Sequence, residues 1–511
     1  MKRLGHTIFS RLALIIFALL IQFAWLGLVL YEFSLKYTFL NLAFTVIAII
    51  LAIVISDKDG NAAGRMSWIF LILAIPIFGV ALYFIFGRSK LTKRTEERLA
   101  KVNEEMKPFL DSEKAVEEEL LKTDKRVYNQ TRYITEWAGY PIYRNTKTEY
   151  YPSGEEMFPA MLEALRSAKK FIFLEYFILN EGKMLTQVME VLEQKVKEGV
   201  EVRLIYDDVG CVKTLPPKYY KKLQAIGIRC IAFNPFRPVM SIIINNRDHR
   251  KILVVDGEVA FTGGINIADE YINEIQRFGY WKDTGIRIEG QAVWSFTSMF
   301  LKMWNFALRS SEDYLVYKPD IAWEERYESD GFVQPYADSP IDHENQGENI
   351  YLNIINHAKD YVYIFTPYLI IDEEMSVALC NVAKSGVDVR IFTPGIPDKK
   401  MIFLLTQSYY EKLLKSNVKI YQFQDGFIHA KCFVCDDEIA TVGSINLDYR
   451  SLYLHYECGI FLYQSKAVLQ VKQDVLETIK HSEQITLEFC EKRSWFKRAL
   501  QCILRLLAPL L

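Results

Sequence analysis

The sequence predicts an α/β fold built twice: two α-β-α domains related by pseudo-two-fold symmetry, preceded by N-terminal transmembrane helices. Three observations predict it. The stretches "RDHRKILVVDG" (residues 247–257) and "IHAKCFVCDD" (428–437) carry one H-x-K-x4-D pattern twice. Each is preceded by an apolar strand, a helical stretch and a β-branched strand opened by Gly-Val. These are "KFIFLEYFIL" to "EGVEVRLIYD" in the first half and "YVYIFTPYLI" to "SGVDVRIFTP" in the second, a βαβ unit each time. Ahead of both copies, residues 1–88 hold three long apolar segments.

Taken in order, the apolar segments are 12–31, 37–56 and 66–86. Each is about 20 residues long and almost uncharged, the length a bilayer span requires. The first has too long an apolar core, and no small-residue cleavage site, for a cleaved signal peptide. Pro76 and Gly79 allow the third to kink or to lie partly in the interface. Lys2, Arg3 and Arg11 favour a cytoplasmic amino terminus, whereas Arg88, Lys90, Lys93 and Arg94 favour the cytoplasm after the third segment. Three full spans cannot satisfy both clusters. The larger one puts the body of a multi-pass cell-membrane protein in the cytoplasm.

Residues 89–134 are charged and helix-prone and read as a solvated juxtamembrane helix. The two copies are expected over 135–316 and 317–487, their matched order marking an internal repeat. At 488–511, Trp495, Phe496, Leu500, Ile503, Leu504 and Leu507 stand against Lys497, Arg498 and Arg505. Such a basic amphipathic helix suits either the body or an anionic membrane surface, and the apolar front end favours the membrane.

With 511 residues the chain has room for two or three domains. A net charge of −2 argues against bulk electrostatic binding of nucleic acid. The eight cysteines show no framework spacing and read as reduced thiols. Cys432 and Cys435 form C-x-x-C, but inside a strand-like run, where they read as packing residues.

On a strand, side chains two apart share a face, so His249 points with Lys251 and His429 with Lys431. Two such pairs brought together would set two ammonium groups and two imidazoles around one phosphate. One imidazole can attack phosphorus while the other protonates the leaving alkoxide. Asn266 and Asn446, in "FTGGIN" and "TVGSIN", keep the offset of the histidines and can add amide donors to the phosphate oxygens. Asp283 and Glu457, each opening the strand after its motif, are expected to orient the imidazoles. Asp256 and Asp436 complete the catalytic signature, although their parity and turn position suit bracing. No metal or other cofactor is called for, since the lysines fill the electrostatic role. The remaining histidines, His6, His343, His357, His455 and His481, read as ordinary surface or core residues.

Paired H-x-K-x4-D with Gly-x-x-Asn resembles the phospholipase D superfamily. "NNRDHRKILVVDGEVAFTGGINIADEYI" and "GFIHAKCFVCDDEIATVGSINLDYRSLYLHYE" look like the motif blocks of its bacterial cardiolipin synthases. So do "FGYWKDTGIRIEG" and "WIFLILAIPIFGVALYFIFG", and the likeness runs from about residue 37 to the carboxyl end. It implies duplicated phospholipase D-like domains. It also implies transfer of a phosphatidyl group between two phosphatidylglycerol molecules, giving cardiolipin and glycerol through a phosphatidyl-histidine. By the resemblance His249 is the nucleophile and His429 the acid/base; the residues alone do not rank them. A membrane-bound phospholipase D, another phosphatidyltransferase or a nuclease would share these residues. A non-catalytic membrane scaffold is disfavoured because both motifs are intact.

Overall fold

The computed structural model describes residues 38–58, 60–87, 93–235, 245–327, 330–342 and 344–510, with a few positions between 21 and 32. Two mixed sheets dominate it. The first is built from β1 (Thr146–Tyr151), β2 (Phe171–Tyr176), β3 (Glu201–Asp207), β4 (Arg229–Phe233), β5 (Lys251–Val255), β6 (Val259–Gly263) and, after the short β7 (Tyr280–Lys282), β8 (Gly285–Gly290). Its strand order is β1-β8-β6-β5-β2-β3-β4. The second comprises β9 (Phe332–Asp338), β10 (Tyr361–Phe365), β11 (Asp388–Pro394), β12 (Lys419–Phe423), then, past the short β13 (Gly426–Ile428), β14 (Cys432–Cys435), β15 (Ile439–Gly443), β16 (Glu457–Tyr463) and β17 (Ser482–Ile485). Its order, β9-β16-β15-β14-β10-β11-β12-β17, repeats the first strand for strand and adds β17 at one edge.

The central strands are buried on both faces, which is why they read as continuous apolar runs rather than alternating ones. Ile172 and Leu174 of β2 pack with the helices Gly154–Ser167 and Lys183–Lys197. Phe171 and Phe173, of opposite parity, join a core that also holds Phe365, Val434, Val442 and Ile460 of the second sheet. The helices Val293–Leu308 and Lys466–Lys480 close that shared core. The two copies therefore bury one apolar interior between them. Cys432 and Cys435 fall into different cores, as residues three apart on a strand should.

Of the three apolar segments at the front end, the second and third lie among the described residues. The first apolar segment, 12–31, lies largely outside the described residues. The second forms the helix Thr38–Ser56. The third breaks at Pro76 into the helices Ala62–Ala74 and Pro76–Phe86, because proline removes a backbone donor and clashes with the preceding turn. Among the described residues no helix is long and apolar enough to cross a membrane. These helices pack on one another through Ala48, Ile55, Ile72, Val80 and Tyr83. Ser67 Oγ donates to the Leu506 carbonyl (2.6 Å) and Asn61 Nδ2 to the Tyr453 hydroxyl (2.8 Å), tying the cluster to the carboxyl-terminal helix and to the second copy.

The charged linker is not one solvated helix. It forms the helices Lys93–Met106, Lys114–Thr123 and Lys125–Tyr133. Leu99, Val102 and Met106 make a buried stripe at helical spacing on the first of these. At the carboxyl end, the helix Trp495–Leu507 is capped by Ser494, whose Oγ accepts from the Lys497 amide. Gln501 and Leu504 are buried, and Gln501 Nε2 donates to the Leu404 carbonyl, while Trp495, Phe496 and Ile503 stay exposed. This helix rests on the body with one face and leaves an aromatic face free.

Candidate active site

Two short parallel pairings join the copies and create the site. Strand β7 runs beside β13, so the residues that follow them, Asp283 and His429, emerge side by side. The His429 amide donates to the Lys282 carbonyl (2.6 Å). The related pairing places Asp248 against Tyr456, with the His249 amide donating to the Tyr456 carbonyl (2.9 Å). This sets His249 beside Glu457. His249 Nδ1 lies 2.8 Å from Glu457 Oε1, and His429 Nδ1 lies 2.6 Å from Asp283 Oδ2. Each histidine is thus held by the carboxylate of the other copy. With both Nδ1 atoms engaged, Nε2 of each ring is left for chemistry.

Lys251 and Lys431 each fold their Nζ back to donate to the backbone carbonyl of their own histidine, His249 and His429. His249, Lys251, Asp283, His429, Lys431 and Glu457 are buried close enough together that the charge of one copy's lysine acts on the other copy's groups. Burial drives the His249 imidazole down to about 3, and burial together with Lys431 and Lys251 drives His429 well below its ordinary value. The same burial brings Lys251 down to about 8 and Lys431 to about 7. Asp283 is pushed up to about 6 by burial. Glu457 is buried too, but His249 beside it outweighs that and holds its carboxyl far below the usual range. Two neutral imidazoles beside two desolvated ammonium groups form a site poised for an anion.

Asp256 and Asp436 each hold a set of backbone amides, the bracing geometry that their parity and turn position suit. Asp256 accepts from the backbone amides of Lys169, Lys170 and Phe171, at 2.7, 2.7 and 2.8 Å. Asp436 does the same for Lys359, Asp360 and Tyr361. Both sit in the left-handed region, φ 54° and 52°, at the turn that ends the motif strand. Asn266 differs from the expectation of a free donor. Asn266 Oδ1 accepts from the Ile178 amide and its Nδ2 donates to the Tyr271 hydroxyl (2.7 Å), so it braces a loop. Asn446 is buried with an unpartnered Oδ1.

Other site residues were not singled out by the sequence reading. Ser444 Oγ donates to Glu457, whereas the matching Gly264 has no room for a side chain, because a Cβ would stand 2.0 Å from Asp283 Oδ1. The shorter Asp283 and the longer Glu457 thus go with different neighbours. Tyr271 and Trp281 pack on His429, at ring-centroid distances of 5.5 and 5.3 Å; Phe177 and His455 pack on His249, at 4.9 and 5.5 Å. Read as ordinary from sequence, His455 is a wall of the site. Spacing carried a signal for it: two positions before Glu457 on an extended chain is the same face. His249, His455 and Glu457 bring three metal-ligand atoms within 4.8 Å of one another. The ammonium groups of Lys251 and Lys431 alongside favour an anion there over a cation.

A family profile described as "Cardiolipin synthase, PLD-like domain" matches residues 161–304 and 351–479. The chain belongs to this PLD-like cardiolipin synthase family. A second profile, "Phospholipase_D-nuclease N-terminal", matches residues 43–88. Cardiolipin synthase 1 of Bacillus cereus is 35% identical over 93% of this chain and 94% of its own length. The cardiolipin synthase of Halalkalibacterium halodurans is 35% identical over 91% and 93%. An uncharacterized protein of Streptococcus mutans is 46% identical over 87% and 96%. The family fold is shared with the crystal structure of phosphatidylserine synthase from Haemophilus influenzae, with a TM-score of 0.55 over 75% of this chain and 98% of that one, at 14% identity.

Proposed function

We propose that the chain is a membrane-anchored phosphatidyltransferase that converts two phosphatidylglycerol molecules into cardiolipin and glycerol. The observation that carries this reading is the pair of crossed histidine–carboxylate contacts sharing one buried pocket with two lysines. The lysines draw the phosphodiester anion in and neutralise its non-bridging oxygens. That anion offsets the burial and the lysine charges that keep the imidazoles neutral, so one imidazole can carry a proton.

His249 Nε2 forms a bond to phosphorus as the phosphorus–oxygen bond to glycerol breaks, and protonated His429 hands its proton to the departing alkoxide. Neutral His429 then takes the proton from a hydroxyl of the second phosphatidylglycerol. Its oxygen displaces His249 and closes cardiolipin. The assignment of His249 as nucleophile follows the family resemblance. Asp283 and Glu457 stabilise the positive charge that each ring acquires in turn.

Substrate and product are both lipids, so the pocket must sit at a bilayer. The helix Thr38–Ser56 exposes Phe39, Leu42, Ile53 and other apolar side chains, and the carboxyl-terminal helix exposes Trp495, Phe496 and Ile503. We place the anchor in the cell membrane and the body on the cytoplasmic side, where the basic cluster after the third apolar segment lies. Purified protein in vesicles of labelled phosphatidylglycerol should release glycerol and form cardiolipin in equal amounts. Phosphatidic acid as sole product would make the chain a hydrolase.

A further inference from the structure

His455 has no task in that mechanism, yet it is placed as though it had one. Its Nδ1 lies 3.8 Å from Glu457 Oε1, its side chain is only 10% exposed, and neither ring nitrogen has a hydrogen-bond partner. Buried polar atoms are nearly always paired; Glu457 faces Nδ1, and Nε2, with no counterpart at all, calls for a ligand. The related position in the other copy, two residues before Asp283, holds Trp281, whose Nε1 is also unpartnered. An indole can only donate, whereas an imidazole can donate through one nitrogen and accept through the other.

The ionised Glu457 facing Nδ1 favours the proton there, which leaves a lone pair on Nε2. A buried lone pair suits an O–H donor, not a phosphate oxygen. His455 also lines a small cavity together with Asp338, Ser339, Glu344, Asn345 and Tyr453, with Pro340 and Leu452 completing the wall. We propose that His455 recognises a hydroxyl: its Nε2 accepts from the glyceryl group of a polyol headgroup, and this cavity receives the rest of that group. This rests on the transferase reading and deepens it, since it names what makes the site choose polyol over monohydric alcohols.

The test uses the full chain in cardiolipin vesicles as phosphatidyl donor, with glycerol and 1-propanol competing as acceptors. The ratio of phosphatidylglycerol to phosphatidylpropanol is read. His455→Phe keeps a ring but no nitrogen and should lower the ratio about tenfold, the effect of one lost hydrogen bond in a site built for a hydroxyl. His455→Gln, which restores an acceptor oxygen, should recover part of it. An unchanged ratio in folded His455→Phe overturns the proposal, as does loss of both transfers in a variant with unaltered thermal unfolding. Should His455→Phe not fold, Ser339→Ala and Asn345→Leu carry the test, and a wild-type ratio in both overturns it. Wild-type protein that transfers to neither alcohol would instead overturn the transferase reading, so the two failures are distinguishable.

Discussion

At the scale of single residues, the two histidines differ in the anion that holds them. Glu457 stays ionised throughout the working range, while Asp283, pushed up to about 6, loses its charge on mild acidification. Protonated Asp283 no longer stabilises a charged His429, so kcat should fall as pH drops through 6. On the other side, Lys431 at about 7 and Lys251 at about 8 lose their charge as pH rises. KM for phosphatidylglycerol should therefore climb between pH 7 and 9. A pH series resolving kcat from KM checks both limbs, and a flat KM across that range would contradict the role given to the lysines. Asp283→Asn and Glu457→Gln should each lower kcat by on the order of 10²–10⁴ with KM little changed, the range of general acid–base assistance. The histidine–lysine pairs were legible because strand parity fixes their common face. Which carboxylate serves which histidine was not legible, since a repeat gives matching positions in two copies but no distance between them. His455 escaped because its counterpart is a tryptophan, and a comparison of the copies looks for likeness.

At the scale of elements, the turn aspartates stitch the motif strand to the start of its neighbour. Removing the Asp256 carboxylate strands three backbone amides in a turn with positive φ. Asp256→Ala should cost about 2–4 kcal/mol of stability, seen as a lower denaturation midpoint, while turnover per folded molecule stays close to wild type. A large loss of kcat with normal stability would return Asp256 to the chemistry. The crossed pairings predict coupling of a particular pattern. In double-mutant cycles His249 should couple with Glu457, and His429 with Asp283, while His249 and Asp283 combine additively on a logarithmic scale. The strands were readable from their apolar runs and β-branched residues. The linker was misread because its charge hid the stripe of Leu99, Val102 and Met106, which only the packed body makes meaningful. Pro76 did announce the break between the helices Ala62–Ala74 and Pro76–Phe86.

At the scale of the whole molecule, the described helices between Thr38 and Phe86 contact both the body and the carboxyl-terminal helix. Trp495 and Phe496 are 80% and 65% exposed on the face away from the body. Replacing both with serine should weaken binding to anionic vesicles at least several-fold in flotation assays, while leaving the unfolding midpoint unchanged, because neither side chain supports the interior. Equal flotation of the variant would show that the helix does not touch lipid. The shared interior and the crossed contacts also bear on ancestry. A protein of one copy, carrying one histidine and one carboxylate on separate strands, could complete such a contact only by meeting an identical molecule in a symmetric homodimer. Joining two such genes end to end would keep both contacts and release each half from having to match the other. Asp283 could then drift from Glu457, Gly264 from Ser444 and Trp281 from His455, turning a symmetric pair of reaction centres into a directional one.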